Sequence, residues 1–179
     1  MSDIEKVMDL IKENDVQYVD LRFTDPRGKW QHTAQHVSTI DEDFFENGIM
    51  FDGSSIAGWK AINESDMTLM PNPDTAVMDP FTAQPQLIIF CDVLEPSTGQ
   101  PYERCPRSIA KKALAYMGSA GIGDTAYFGP EAEFFLFDDV RFEATMNRSF
   151  YEIDSDEGPY NSGEMLEGGN IGHRPGIKG

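Results

Sequence analysis

The run Leu87-Ile88-Ile89-Phe90-Cys91 is the longest strictly apolar stretch of the chain, and it limits the choice of fold more than any other feature. It falls far short of the ~20 residues a helix needs to cross a bilayer, so no transmembrane helix is expected. With its flanks, Gln86 to Val93, it reads as a buried strand, because unbroken apolar content marks a strand covered on both faces. The 179 residues are 40% hydrophobic and 11% aromatic, enough to pack a core in one ordinary domain or in a small domain joined to part of another. Fourteen Lys and Arg stand against thirty-one Asp and Glu, a formal net charge of -17. So acidic a chain cannot neutralise phosphates along a duplex, which excludes nucleic-acid binding by charge. Acids stand at Asp3 and Glu5, where a targeting peptide carries bases, so a cytoplasmic protein without a membrane partner is expected. Cys91 and Cys105 lack metal-ligand spacing and read as ordinary buried thiols.

Around that strand the chain alternates helical and extended patterns, an α+β composition. Ile4, Val7, Met8 and Ile11 fall on one helical face, Ser2 and Glu5 have capping-box spacing, and the helix should end near Asn14. Val19, Leu21 and Phe23 then alternate with polar residues, Asp25-Pro26-Arg27-Gly28 has turn chemistry, and Trp30 to Val37 is the returning strand. Thr39 and Glu42 repeat the capping-box spacing before a short helix with Phe44 and Phe45, ended by Gly48. Residues 51–70 give no clean period. Three prolines and a glycine between 95 and 107 mark a domain boundary, giving domains over 1–100 and 107–179. Pro106 suits the first turn of a helix that Gly118 and Gly121 stop, and Ser149 to Asp154 is the return strand of a hairpin. Residues 138–167 carry nine acids against Arg141 and Arg148, read as a solvated face, and the second domain looks incomplete.

The segment Ala126 to Phe137 is expected to be a strand. There Glu131 and Glu133 face one way, about 7 Å apart, between phenylalanines that draw the segment inward. Two like charges carried into an interior need compensation, and hard divalent cations such as Mg²⁺ or Mn²⁺ take such oxygen ligands. A solvated face or pairing with Arg and Lys is the plainer alternative; an acid/base carboxylate pair would want its members facing each other across a cleft.

The other unusual stretch is Phe51-Asp52-Gly53-Ser54-Ser55-Ile56-Ala57-Gly58-Trp59-Lys60. Gly53 and Gly58 bracket it and permit tight or positive-φ backbone, so a loop can present Asp52 and two hydroxyls. Such a carboxylate can accept hydrogen bonds from an ammonium ion or act as a base. On local chemistry the preferred reading is an Asx-type turn in which Asp52 and Ser54 satisfy their own backbone. His32, His36 and His173 are each isolated from other ligand types, and His32 and His36, in or near a strand, are expected to pack or hydrogen-bond there.

Taken in order, the stretch 51–60, Asn63-Glu64-Ser65-Asp66-Met67, Gly129-Pro130-Glu131-Ala132-Glu133-Phe134 and Gly172-His173-Arg174-Pro175-Gly176-Ile177-Lys178-Gly179 resemble bacterial type I glutamine synthetase across the whole chain. The resemblance implies an N-terminal β-grasp domain followed by the truncated start of an α/β catalytic domain. It implies ATP-dependent ligation of ammonia to L-glutamate through γ-glutamyl phosphate, with two or more Mg²⁺ or Mn²⁺ ions per site. It matches Glu131 and Glu133 to metal ligands, Asp52 to the aspartate that binds ammonium and helps deprotonate it, and Ser55 to the same loop. It implies a homododecamer of two stacked hexameric rings with sites between neighbouring subunits. The family's remaining site residues would lie beyond residue 179, so this chain alone is expected to be inactive. A γ-glutamyl ligase acting on an organic amine and a non-catalytic β-grasp binding module are the rival readings.

Overall fold

Helix α1 (Asp3–Glu13) forms on the expected periodicity and turns Val7 and Ile11 into the core. These elements come from a computed structural model that describes residues 3–155, so Ser2, half of the expected capping box, lies outside the described residues, as do the acids from Asp156 onward and the motif 172–179. The chain divides into two compact units, 1–126 and 127–179.

In the first unit, β1 (Tyr18–Thr24) and β2 (Trp30–His36) form an antiparallel pair with Tyr18 opposite His36. Their turn is held by Asp25, whose carboxylate accepts from the backbone N–H groups of Arg27 and Lys29 at 2.9 Å and from the Gln31 side chain at 3.0 Å. Those donors, the Gln31 amide foremost, hold the Asp25 carboxyl below the ordinary range. Helix α2 (Glu42–Asn47) is capped by Asp41, which accepts from the Phe44 N–H at 2.9 Å, so the cap is Asp41 and not Thr39. An Asp immediately before the helix can reach that donor, and its charge suits the positive helix terminus. Gly48 ends α2 at φ +68, and a Cβ placed there would lie 2.3 Å from the Leu69 carbonyl oxygen.

Strands β3 (Ile49–Asp52), β4 (Asp66–Pro71), β5 (Val77–Met78) and β6 (Gln86–Leu94) complete a six-stranded sheet of order β2-β1-β6-β4-β3, with β5 also against β6. Strand β6 runs parallel to β1 and antiparallel to β4 and β5. Val19, Leu21, Phe23, Met67, Leu69, Leu87, Ile89, Cys91 and Val93 share one sheet face, and their buried side chains form a core with Val7, Ile11, Phe44 and Phe45. This is the β-grasp arrangement, a mixed sheet with helices on one face. Cys91 and Cys105 are free and buried, and burial, reinforced by the nearby Asp92 charge, pushes the Cys91 thiol well above the ordinary thiol range.

The opposite sheet face carries a buried ionic knot. Arg22 Nε donates to Asp20 at 2.7 Å and its Nη2 to Asp79 at 3.0 Å, while His32 Nδ1 lies 2.6 Å from the other Asp20 oxygen. The Asp20 and Asp79 side chains are only 2% and 7% exposed, so Arg22 offsets two desolvated carboxylates at once. Helix α3 (Pro106–Ser119) starts at Pro106 and gives way to Gly121 at φ +68, while Gly118 lies inside the helix. Arg107 donates to Asp92 at 2.8 Å and Lys111 pairs with the same carboxylate, which ties α3 to β6.

In the second unit, β7 (Asp139–Ala144) and β8 (Ser149–Asp154) form the expected hairpin, with Asp139 opposite Asp154. The expected strand over 126–137 is not formed: residues 125–137 carry no ladder. Alternation supplied the pattern, but a strand also needs a partner, and among the described residues of this unit β7 and β8 pair only with each other.

Two outcomes follow from the packing. Arg22→Met leaves two buried carboxylates uncompensated and should destabilise the protein by about 3–5 kcal/mol, measured by urea unfolding; Asp20→Asn in the same background should recover part of the loss. Gly48→Ala, forced against the Leu69 carbonyl at positive φ, should cost on the order of 2–4 kcal/mol, and an unchanged unfolding midpoint would contradict that geometry.

Candidate functional site

Asp52 ends β3, and its position is set first by the β3–β4 register, in which Asp52 stands opposite Asp66. Its carboxylate then caps a short 3-10 turn, Gly53–Ser55, accepting from the Ser54 N–H at 2.8 Å and the Ser54 hydroxyl at 2.6 Å. This is the Asx-type turn preferred on local chemistry, and it leaves Asp52 on the surface. The Ser54 hydroxyl, then its N–H, and the Ser65 hydroxyl hold the Asp52 carboxyl below the ordinary range, against a smaller opposing effect of burial. Ser55 lies exposed at the end of the same turn, while the hydroxyl that meets Asp52 belongs to Ser54.

Of the tight or positive-φ backbone expected at the two glycines, Gly58 takes the positive φ, at +84, and Gly53 the tight approach: a Cβ on it would meet Met67 Cγ at 2.5 Å and the Ser65 carbonyl oxygen at 3.0 Å. The Gly53 N–H donates to that carbonyl at 2.7 Å, so the loop is drawn tightly onto the start of β4. Ile56 and Trp59 are buried and anchor the far side of the loop. Ser65 and Asp66 stood among the motifs of the resemblance, but their place beside Asp52 was not legible, because it depends on register across an irregular connection that no local period reports.

In an exposed loop a carboxylate held ionised by its hydrogen bonds is suited to a small cation that can donate hydrogen bonds. The same lowering of affinity for protons makes Asp52 a weak base, so cation holding is its stronger capability.

Glu131 and Glu133 belong to the second unit and are exposed, contrary to the expectation that they are carried inward. The aromatic neighbours are exposed too, with Phe134 at 77% and Phe128 at 87%. Phe135 and Phe137 stack with ring centres 5.9 Å apart. Among the described residues no ladder draws the segment into a core, so both residues stay exposed. Among the described residues no three His, Cys, Asp or Glu gather in a group that could hold a metal ion. The donor chemistry of Glu131 and Glu133 fits a hard cation, but two carboxylates are a partial ligand set. His32 and His36 hydrogen-bond within the fold, to Asp20 and Ser38 respectively, as expected. His173 lies outside the described residues.

Comparison with known proteins connects these parts. Family models described as "Glutamine synthetase, beta-Grasp domain" and "Glutamine synthetase, catalytic domain" match residues 15–96 and 103–174. A glutamine synthetase of Azospirillum brasilense is 76% identical over all 179 residues, which are 38% of its length. One of Methylococcus capsulatus is 65% identical over 173 residues, covering 97% of this chain and 37% of the relative. The cryo-EM structure of Plasmodium falciparum glutamine synthetase superposes with a TM-score of 0.65 at 25% identity, covering 88% of this chain and 30% of that one. The chain thus spans less than two fifths of the curated relatives it matches, and across a β-grasp region followed by the start of a catalytic region it belongs to the glutamine synthetase family.

Proposed function

We propose that the full-length protein is a glutamate–ammonia ligase of nitrogen assimilation, and that this chain supplies its ammonium loop and two of its metal-binding carboxylates. One observation carries the reading: the match to the β-grasp region runs on, in order, into a match to the catalytic region within a single chain. The division into domains over 1–100 and 107–179, a cytoplasmic location and assembly into two stacked hexameric rings form part of the same proposal. A free-standing binding module leaves the catalytic match from residue 103 unexplained.

In the reaction, an oxygen of the glutamate γ-carboxylate attacks the γ-phosphorus of ATP and ADP leaves. Ammonia then attacks the γ-carbon, and the bond to the phosphate oxygen breaks with its electron pair, releasing phosphate. Asp52 binds ammonium through its ionised carboxylate, with Ser55 on the same loop, and helps deprotonate it: one ammonium proton passes to the carboxylate and on to water, leaving ammonia with the lone pair that attacks. Glu131 and Glu133 would hold divalent cations, Mg²⁺ or Mn²⁺, which when bound offset the charge of the transferring phosphoryl group.

Two measurements on the full-length protein test this. Asp52→Asn keeps the size and a hydrogen-bonding group but loses the charge, and should raise the ammonium KM on the order of tenfold or more, leaving glutamate-dependent ADP formation largely intact. Because Asp52 is held ionised well below neutrality, the wild-type ammonium KM should show no step from this carboxyl between pH 6 and 8. Turnover with an organic amine and none with ammonium would favour the rival ligase. Glu131→Gln and Glu133→Gln should each weaken Mn²⁺ binding by about tenfold, a change of ~1.4 kcal/mol, and unchanged titrations for both would return these residues to a solvated face.

A further inference from the structure

The Asx turn fixes the Asp52 carboxylate only relative to its own loop; where the loop sits is decided at its other end, between Gly58 and Lys60. Five contacts meet there, all from the connection that leaves β6. Arg104 Nη1 donates to the Gly58 carbonyl at 2.9 Å and to the Trp59 carbonyl at 3.4 Å. The Lys60 ammonium donates to the Glu95 carboxylate at 2.5 Å and lies 5.3 Å from the centre of the Tyr102 ring. The Trp59 ring meets Tyr102 edge-on at 5.3 Å, and both are buried.

Trp59 also ties the two ends of the loop together. It packs against Phe51, the residue before Asp52, at 6.3 Å, and both rings pack on Phe23 of β1. Among the described residues its indole N–H meets no hydrogen-bond partner, so ring packing holds Trp59 there and the polar fastening comes from Arg104 and Lys60. The connection is itself fixed: Leu94 bridges Pro101, the Tyr102 N–H donates to the Val93 carbonyl at 2.8 Å, and the Gly99 N–H donates to the Glu95 carbonyl at the same distance.

We propose that residues 95–104 act as a clamp on the ammonium loop, with Arg104 and Lys60 as positioning residues for Asp52. The inference rests on the reading of Asp52 as the ammonium ligand and extends it to groups outside the loop. Arg104 spends its charge on two carbonyls, which makes it a fastener of backbone with no carboxylate partner in these contacts. Lys60 is matched by Glu95, whose hydrogen bond raises the lysine pKa and keeps it cationic throughout the neutral range. Neither residue needs to touch a substrate; loosening either lets Asp52 move, and displacements of about 1 Å can cost on the order of a hundredfold in a reaction that depends on orientation.

The test uses the full-length enzyme with steady-state kinetics varied separately in ammonium, glutamate and ATP, alongside thermal unfolding. Arg104→Gln and Lys60→Glu should each raise the ammonium KM about five- to tenfold, with the glutamate and ATP values within twofold of wild type and the unfolding midpoint little changed. Arg104→Lys, which retains one donor, should fall between wild type and Arg104→Gln. Lys60→Glu combined with Glu95→Lys restores the pair with reversed polarity and should bring the ammonium KM most of the way back. If Asp52→Asn raises the ammonium KM and none of the clamp variants does, the clamp is refuted while the Asp52 reading stands. If Asp52→Asn leaves ammonium dependence unchanged, that reading fails and the clamp with it. A uniform loss for all three substrates with a lowered unfolding midpoint would make these residues structural supports only.

Discussion

Strand β6 is the element on which the first unit depends, because it pairs with three other strands and so must satisfy its backbone on both edges. Its parallel pairing with β1 brings the N-terminal hairpin into the sheet, and its antiparallel pairing with β4 brings in β3 and the Asp52 loop. Leu87, Ile89, Cys91 and Val93 supply the apolar face that both helices cover. Truncating a fully buried leucine here, such as Leu87, removes both its transfer energy and its packing, a cost of about 2–5 kcal/mol. Asp92 on the same strand, held by Arg107 and Lys111, orients α3. A surface loop thereby acquires a fixed position: β4 fixes its start, and the segment leaving β6 fixes its end.

That placement resolves a tension in the chemistry of Asp52. A base for ammonium works best with a proton affinity near that of its surroundings, whereas the hydrogen bonds from Ser54 and Ser65 lower it. The same bonds orient the carboxylate and keep it charged at every pH where a cell operates. A loop built this way favours capturing the cation over removing its proton. On the proposed reading the proton must leave before attack, because ammonium has no lone pair, and a carboxylate that orients the cation can pass that proton to water without being a strong base.

Local pattern was a good guide wherever a segment's structure is decided by its own residues. The end of α1, the β1–β2 turn at Asp25, Pro106 at the start of α3 and the β8 return were all legible, because periodicity and turn chemistry are short-ranged. The α2 cap was misread by two residues, since Thr39 and Asp41 both precede Glu42 and only the actual backbone reach selects Asp41. Gly53 was legible as a glycine that permits a tight loop, but what crowds it, Met67 and Ser65, lies more than ten residues away and was not. The β3–β4 pairing, the partnership of Asp52 with Asp66, and the clamp from Glu95 and Arg104 are all non-local and left no period to read. At 126–137 the error ran the other way: a clean alternation gave a strand on paper, but alternation says which side chains share a face and supplies no edge to pair with.

The sign of the charge is common to the candidate ligands of both units. With a formal charge of -17, this part of the protein attracts cations and repels the anionic substrates of the proposed reaction. Its candidate ligands, Asp52 in one unit and Glu131 and Glu133 in the other, are all carboxylates, and all are groups for ammonium or metal ions. Several of its basic residues are already engaged, Arg22, Lys60, Arg107 and Lys111 each facing a carboxylate. Glutamate and the ATP phosphates call for guanidinium, ammonium and N–H donors in numbers that those pairings leave scarce here. On the proposed reading, divalent ions held by Glu131 and Glu133 would offset part of that negative charge where a phosphate approaches.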